Sequence, residues 1–171
     1  MEISGYNQEA KNELAKVLPK EDVVYMCIGT DSVLADSLGP RVGSYLQENM
    51  NKPIFVYGIA NNNITAINLL SAYRFIKLLH PDKKIVVVDS AVGDTEEIGK
   101  IIFNDAPLCP GAATNKNLPS LGDYSIMGVV AERGLKDFYK KSVDKQTLVD
   151  SLAQIISQAI CQNCPSVEVT N

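Results

Sequence analysis

The chain is predicted to be an α/β protein, a three-layer α/β/α sandwich with a mostly parallel sheet, because strand and helix signals alternate along it. Three apolar runs have the length and composition of strands that are buried on both faces: "VVYMCIG" (23–29), "PIFVYGIA" (53–60) and "KKIVVVDSAVG" (83–93). Amphipathic segments of helical length separate these runs, and helical crossovers of this kind join parallel strands.

Local start and stop signals set the boundaries of the elements. In chain order we expect a helix at 11–18, a strand at 23–29, a helix at 39–49, a strand at 53–60, a helix at 64–79, strands at 83–93, 98–105 and 123–133, and a helix at 144–162. Pro19 and Pro81 end helices, whereas Gly39-Pro40 begins one. One residue of the asparagine run 61–63 is expected to cap the helix that follows it.

Two connections are unusual. The link before the segment 98–105 is so short that this strand is expected to pair antiparallel or to lie beside a hairpin-like turn. The segment 104–122 has no periodicity and is rich in proline and glycine. A loop this long within a compact domain is usually functional or disordered.

Length and composition limit the class of protein. With 171 residues, 46% of them hydrophobic, we expect one domain over 1–171, with its core at about 20–162 and a frayed end from 165. The net charge is −4 and no basic run is present, so a nucleic-acid partner is not expected. The N-terminus lacks the order of a signal peptide and no apolar run is long enough to span a bilayer, which favours a cytoplasmic protein without a membrane partner.

The cysteines and the histidine give no specific site. Cys161 and Cys164 form a C-x-x-C that is compatible with half a zinc site or a redox pair, but a second pair is absent and His80 is the single histidine. We therefore favour incidental thiols there, and we expect Cys27 to be a small buried hydrophobe. The sequence has neither a P-loop nor a G-x-S-x-G elbow.

Acidic residues follow two of the predicted strands. Asp31 and Asp36 lie in the loop after the first strand, and Asp89 is expected to end the third. If the second and third strands flank the first on opposite sides, the strand order reverses beside it, and ligands bind at such a point. Two adjacent carboxylates can share acid and base roles in hydrolysis, or they can hold a metal. Asn115 and Lys116 are polar candidates for the rim of this site.

Each acidic residue also has a structural interpretation. Asp36-Ser37 stands where an N-cap of the next helix would stand, Asp31-Ser32 fits ordinary turn chemistry, and Asp89-Ser90 can stop a strand. Asp31 and Asp94 are alternative acids for the site, and Lys116 can be a solvated loop lysine.

Three motifs resemble the YyaC-like sporulation proteins of spore-forming Firmicutes. They are "CIGTDSVLADSLGPRVG" (27–43), "VVVDSAVG" (86–93) and "PGAATNKNLPSLGDYSIMGVV" (110–130). That family is in turn similar to the spore germination protease and, more distantly, to the hydrogenase maturation endopeptidases. The resemblance covers roughly residues 20 to 162 and implies the phosphorylase/hydrolase-like sandwich of these peptidases.

The resemblance also assigns roles to residues. The catalytic pair of the germination protease matches Asp36 and Asp89, which selects Asp36 over Asp31. The hydrogenase maturation enzymes bind nickel with the matching acidic positions and a later histidine, but no histidine follows residue 80 here. We therefore expect neither a nickel site nor another cofactor.

The expected function is a sporulation- or germination-associated endopeptidase that acts on peptides or proteins, with small acid-soluble spore proteins as candidate substrates, inside the developing spore. Asp31, Gly111, Asn115 and Lys116 are the candidate substrate-binding residues, and a second copy of the chain is a candidate partner. The alternative is a non-catalytic binding or regulatory sporulation protein on the same fold. A weaker one is a small-molecule or phosphate-binding protein that uses the segment 111–116 as an anion cradle.

Overall fold

A computed structural model describes residues 1–50, 54–109 and 119–163. The strands are β1 (Glu2–Ser4), β2 (Val23–Cys27), β3 (Phe55–Tyr57), β4 (Lys84–Gly93), β5 (Lys100–Asn104) and β6 (Tyr124–Glu132). The helices are α1 (Ala10–Val17), α2 (Leu38–Asn49), α3 (Leu69–Leu79), α4 (Leu135–Tyr139) and α5 (Val143–Asn163). Short 3₁₀ turns cover Leu34–Asp36 and Thr95–Glu97.

The strands form one mixed sheet in the order β1-β5-β6-β4-β2-β3. The central pairs β3–β2, β2–β4 and β4–β6 are parallel, whereas β5 pairs antiparallel with both β6 and β1. Because β3 and β4 lie on opposite sides of β2, the strand order reverses beside β2, as the sequence predicted.

Helices cover both faces of the sheet, which confirms the three-layer α/β/α architecture. Helices α1, α2 and α5 pack on one face through a large apolar cluster that includes Leu14, Leu46 and Ile156. Helix α3 covers the other face through Leu69 and Ile76, in a smaller cluster with residues of β2 and β4. All five residues of β2 are buried, as its continuous apolar run requires.

Two elements at the edge of the sheet differ from the prediction. The strand β5 pairs antiparallel, as predicted, but its neighbour is β6, which comes later in the chain, and not β4, which it follows closely in sequence. On its other side lies β1, which was not predicted because three residues, "EIS", are too few to show a periodicity.

The asparagine run does not cap α3, so that prediction was wrong. The helix begins at Leu69 with Asn68 as its N-cap residue. The side chain of Asn68 accepts a hydrogen bond from the Thr65 N–H at 2.7 Å and donates one to the Asn63 carbonyl at 3.0 Å, which holds the preceding residues in a non-helical turn. Ile64 instead forms a bridge with Ile28 beyond the end of β2.

Several predictions concern residues outside the described ranges. The middle of the loop 104–122, the segment expected to be frayed, and Cys164 all fall there. The described ends of the long loop meet at a bridge between Leu108 and Leu121, both of which are buried. Cys27 is fully buried, as expected, and burial raises the pKa of its thiol to about 12. None of the described helices has the length and hydrophobicity that crossing a bilayer requires.

We predict that Leu46→Ala lowers the free energy of unfolding by about 2–5 kcal/mol, because it opens a cavity in the larger apolar cluster. The matched control is Leu78→Ala on α3, whose side chain is 78% exposed, against 0% for Leu46. This control is expected to change stability by less than about 0.5 kcal/mol. Denaturant unfolding followed by circular dichroism measures both, and equal effects would contradict the assignment of Leu46 to the core.

Candidate active site

The loop after β2 folds back on itself and brings Asp36 against the end of that strand. Gly29 leaves the strand with a φ of 132°, and its N–H donates to the Ile64 carbonyl at 2.8 Å. The Thr30 N–H donates to the backbone carbonyl of Asp36 at 2.9 Å. A methyl group at Gly29 would collide with that same carbonyl, so the approach requires glycine at this position.

The start of α2 fixes the other side of Asp36. Gly39 packs on the backbone of Ile28, and a Cβ there would lie 2.8 Å from the Ile28 nitrogen. The N-cap residue of α2 is Ser37, and Asp36 instead ends the 3₁₀ turn that precedes it. Of the predicted cap Asp36-Ser37, the N-cap residue is therefore Ser37, and the carboxylate of Asp36 is not used as a cap.

Asp89 lies in β4, immediately beyond the end of its neighbour β2. The pairing of these strands ends at Cys27 with Val88, whereas β4 continues to pair with β6 from Asp89, opposite Met127, to Gly93. The prediction that Asp89 ends its strand was wrong. At this level β2 ends, and the space beyond its end forms the crevice beside Asp89.

Burial raises the pKa values of both carboxyl groups, and repulsion from Asp36 raises that of Asp89 further. Desolvation raises the pKa of Asp89 to about 8, and the negative charge of Asp36 adds to this effect. Desolvation also raises the pKa of Asp36 to about 6, against the opposing effects of the Thr30 N–H and the Ser90 hydroxyl. The 3₁₀ turn that carries Asp36 contacts β4, the strand that carries Asp89, and the charge of Asp36 acts on Asp89. We call these two residues the Asp36–Asp89 pair.

Ser90 contacts both members of the pair. Its N–H donates to Oδ1 of Asp89 at 2.8 Å, and its hydroxyl forms a hydrogen bond with the Asp36 carboxylate. The sequence analysis treated Ser90 only as part of a strand stop. The sequence signal that could have identified Ser90 is its position directly after Asp89. That β4 continues beyond the end of β2 is seen only in the structure.

The other candidate acids have separate partners. Oδ2 of Asp31 accepts a hydrogen bond from the Asn61 N–H at 2.8 Å. Asp94 forms an ion pair with Arg133 at 3.1 Å and a capping box with Glu97. Neither contributes to the pKa shifts of the Asp36–Asp89 pair. The remaining candidates, Gly111, Asn115 and Lys116, lie outside the described residues.

A surface groove of about 440 Å³ lies on the α5 side of the same loop. We call it the α5 groove; it is lined by Asp31, Ser32, Leu34, Arg41, Lys141, Ser142, Val143 and Gln146. The 3₁₀ turn that carries both Leu34 and Asp36 contacts α5 on one side and β4 on the other. The groove and the Asp36–Asp89 pair therefore flank a single turn of the chain.

The donor set does not fit a transition metal. Among residues 1–50, 54–109 and 119–163, no group of three or more His, Cys, Asp or Glu side chains is placed to hold an ion. Nε2 of His80 lies 2.8 Å from the Tyr57 hydroxyl and is thereby committed elsewhere. Asp89, whose pKa is raised to about 8, would have to give up its proton to ligate an ion, because metal binding requires the ionised form.

Comparisons with known proteins show similarities in sequence and in fold. YyaC of Bacillus subtilis (strain 168) is 32% identical over 138 residues, which cover 81% of this chain and 67% of that protein. The crystal structure of a NiFe hydrogenase maturation protease, HycI from Thermococcus kodakarensis KOD1, has a similar fold, with a TM-score of 0.58 and 23% identity over 86% of this chain and 98% of that one.

These similarities confirm the resemblance inferred from the three motifs, and the likeness to HycI confirms the fold class. A family model described as "Protein of unknown function (DUF1256)" matches residues 3–159, nearly the whole of the chain that the structure describes. The chain therefore belongs to the DUF1256 family.

Proposed function

We propose that the protein is an endopeptidase in which the Asp36–Asp89 pair activates a water molecule for attack on a peptide bond. The observation that carries this proposal is the pair itself, two carboxyl groups in one crevice whose pKa values are raised to about 6 and about 8. Burying two acids against each other costs stability, and such costs concentrate at functional sites.

The two pKa values suit the two acids to different chemical roles. Near pH 7, Asp36 is largely ionised and Asp89 is largely protonated, so that the pair holds one proton. Asp36 then takes a proton from the attacking water, while the acid form of Asp89 donates a hydrogen bond to the carbonyl oxygen of the substrate. The proton taken up by the pair goes on to the leaving amine, which returns the pair to its starting state.

Ser90 stabilises the ionisation states of the pair on which these roles depend. Its hydroxyl stabilises the ionised form of Asp36, and its N–H stabilises negative charge on Asp89 as the proton leaves. One residue thus opposes the effect of burial on both acids. We assign Ser90 a positioning role in the reaction.

The setting that we propose is sporulation or germination, with small acid-soluble spore proteins as candidate substrates. The similarity to YyaC of Bacillus subtilis and the motifs of the YyaC-like sporulation family support this setting. The fold shared with a hydrogenase maturation protease supports peptide hydrolysis as the reaction class. Proteins of one fold carry many functions, so the argument for hydrolysis depends on the Asp36–Asp89 pair.

The second candidate is a non-catalytic binding or regulatory protein that keeps the fold of these peptidases. It is favoured by the donor set, since the described residues offer no third metal ligand beside the two acids. Under this alternative, the α5 groove binds a partner that is not cleaved.

We predict that Asp36→Asn and Asp89→Asn each lower kcat/KM for small acid-soluble spore proteins by at least about a hundredfold, the scale of a lost general acid or base. Cleavage is followed by gel electrophoresis and mass spectrometry. The matched control is Asp82→Asn, an exposed aspartate in the turn between α3 and β4, which is expected to retain full activity.

Three results are informative in this experiment. Loss of cleavage in both pair variants, but not in Asp82→Asn, supports the peptidase. Cleavage that persists in the pair variants contradicts the assigned roles. If the folded wild type cleaves no spore protein over the range pH 5–9, the binding alternative is favoured for these substrates.

We predict a bell-shaped dependence of kcat/KM on pH, with an acid limb near the pKa of Asp36, about 6, and an alkaline limb near that of Asp89, about 8. Ser90→Ala removes a hydroxyl that stabilises the Asp36 carboxylate, so the acid limb should move to higher pH. Ser71→Ala, which removes a hydroxyl bonded to the Asn68 carbonyl on exposed α3, should leave both limbs in place. An unchanged acid limb in Ser90→Ala would contradict its positioning role.

We predict that Asp89→Asn stabilises the protein increasingly as the pH rises. The folded pKa of Asp89 is raised from 3.8 to about 8, so between these values the folded state binds more protons and loses stability with increasing pH. Asparagine has the same shape and stays neutral, which removes that loss. Urea unfolding at pH 5 and pH 9 measures the difference between variant and wild type. A difference that is the same at both pH values would show that Asp89 is not held in its protonated form.

A further inference from the structure

We propose that the side of β4 beyond the end of β2, from Ser90 to Val92, binds an extended segment of the substrate as an added strand. We call this stretch the β4 edge. The inference rests on the proposed function, because it treats the β4 edge as part of the binding site of a peptidase. It adds a substrate class, polypeptide segments in an extended conformation that are recognised through their main chain.

Within the described parts of the chain, no strand lies beside the β4 edge. The pairing of β4 with β2 ends at Val88, whereas its pairing with β6 continues to Gly93. The burial of β4 changes at the same point, since residues 85–88 are buried and residues 89–92 are half-buried. From residue 89 onward, one side of β4 is therefore paired and the other is accessible to solvent.

Hydrogen bonds on both sides of β4 show which backbone groups face this opening. The Val88 carbonyl accepts the Ile28 N–H at 2.8 Å, on the side of β2. The Gly93 carbonyl accepts the N–H of the first residue after β6 at 3.0 Å, on the opposite side. Because successive residues of a strand direct their backbone groups to alternate sides, Ser90 and Val92 direct theirs to the side that β2 no longer covers.

Three of these backbone groups can bond to a substrate. The Ser90 N–H already donates to Oδ1 of Asp89 at 2.8 Å. The Ser90 carbonyl and both backbone groups of Val92 have no hydrogen-bond partner among the residues that the structure describes. An extended peptide directs a donor and an acceptor to the same side at every second residue, so two of its residues, separated by one, match this set.

The two acids lie on opposite faces of the β4 edge. Val88 belongs to the apolar cluster on the side of α2, and Val87 to the cluster on the side of α3. Because side chains alternate along a strand, Ser90 lies on the face of Val88, and Asp89 on that of Val87. The Ser90 hydroxyl bonds to the Asp36 carboxylate, which therefore also lies on the α2 side. A strand added to the β4 edge thus passes between the two acids, where a peptide bond can be attacked.

This mode of binding limits the conformation of the substrate and leaves its sequence largely free. The contacts are made with backbone groups, so they do not depend on one particular side chain. A helical segment has its backbone donors and acceptors bonded internally and cannot bind in this way. A proline whose nitrogen would face β4 is also excluded, because it has no N–H to donate.

The experiment is digestion of a library of unstructured dodecapeptides, with the cleavage sites identified by mass spectrometry. A cleaved peptide is then synthesised with one N-methylated residue at each position in turn, which removes one backbone donor at a time. We expect kcat/KM to fall about five- to tenfold at two positions, the scale of one lost hydrogen bond. The position between them is the matched control, because its N–H faces away from β4 and its methylation should be tolerated.

A second measurement separates the failure of this inference from the failure of the proposed function. Hydrogen exchange followed by NMR compares the uncleaving Asp89→Asn variant with and without the dodecapeptides. We expect exchange of the Val92 N–H to slow about tenfold at a peptide concentration about ten times the Kd. Ala91 is the internal control, since its N–H faces β6 and should exchange at an unchanged rate.

Each combination of results has one interpretation. Cleavage with two sensitive positions around a tolerant one, together with a protected Val92 N–H, supports both proposals. Cleavage without that alternation, or without protection of Val92, overturns the inference alone. No cleavage, together with protection of Val92 but not of Ala91, overturns the peptidase and retains the β4 edge as a site for extended peptides. No cleavage and no protection overturn both.

Discussion

The contact between the backbone of Asp36 and Gly29 is the constraint on which the site depends. Only a residue without a Cβ permits the Asp36 carbonyl to lie there, and the Thr30 N–H closes the same contact with a hydrogen bond of 2.9 Å. The loop after β2 is thereby drawn across the end of its own strand instead of extending into solvent. Because β2 ends while β4 continues, the turn that carries Asp36 contacts β4, and the charge of Asp36 acts on Asp89.

Burial then determines what the pair can do. In water, both acids would be ionised at neutral pH and would offer equivalent bases. In the crevice, desolvation raises both pKa values, and the additional repulsion from Asp36 raises that of Asp89 further. The result is an asymmetric pair made from two identical side chains, in which one is suited to accept a proton and the other to donate one. Hydrogen bonds from Ser90 to the two acids lower both pKa values and so limit the effect of burial.

Much of the fold could be predicted from the sequence because its strands are unusually clear. The apolar run of β2 and the β-branched run of β4 are typical of buried strands. The reversal of strand order beside β2 then predicts where the crevice lies. Elements whose form depends on distant partners were missed or misplaced. The three residues of β1 form a strand only because β5 offers an edge, and the start of α3 is set by the bonds of Asn68.

The site was predictable to a similar degree and for similar reasons. Topology brought Asp36 and Asp89 together in the prediction, because the carboxyl ends of adjacent parallel strands meet at one edge of the sheet. The choice of Asp36 over Asp31 needed the family resemblance, since both fit the loop. Ser90 carries no sequence signal beyond its position next to Asp89. Its role follows from the contact between β4 and the loop after β2, which lie far apart in the chain.

The same two carboxyl groups could in principle hold either a proton or a metal ion, and their surroundings favour the proton. A metal site lowers the pKa of its acids, because the ion stabilises their charge, and it adds further ligands to complete the coordination shell. Here desolvation raises the pKa of both acids, so that an ion would have to displace the proton of Asp89, and Thr30 and Ser90 supply hydrogen-bond donors to Asp36 instead of further ligands. No third ligating side chain joins them among the residues that the structure describes. A fold shared with a hydrogenase maturation protease is thus compatible with a different chemistry, in which the protein itself provides the acid and the base.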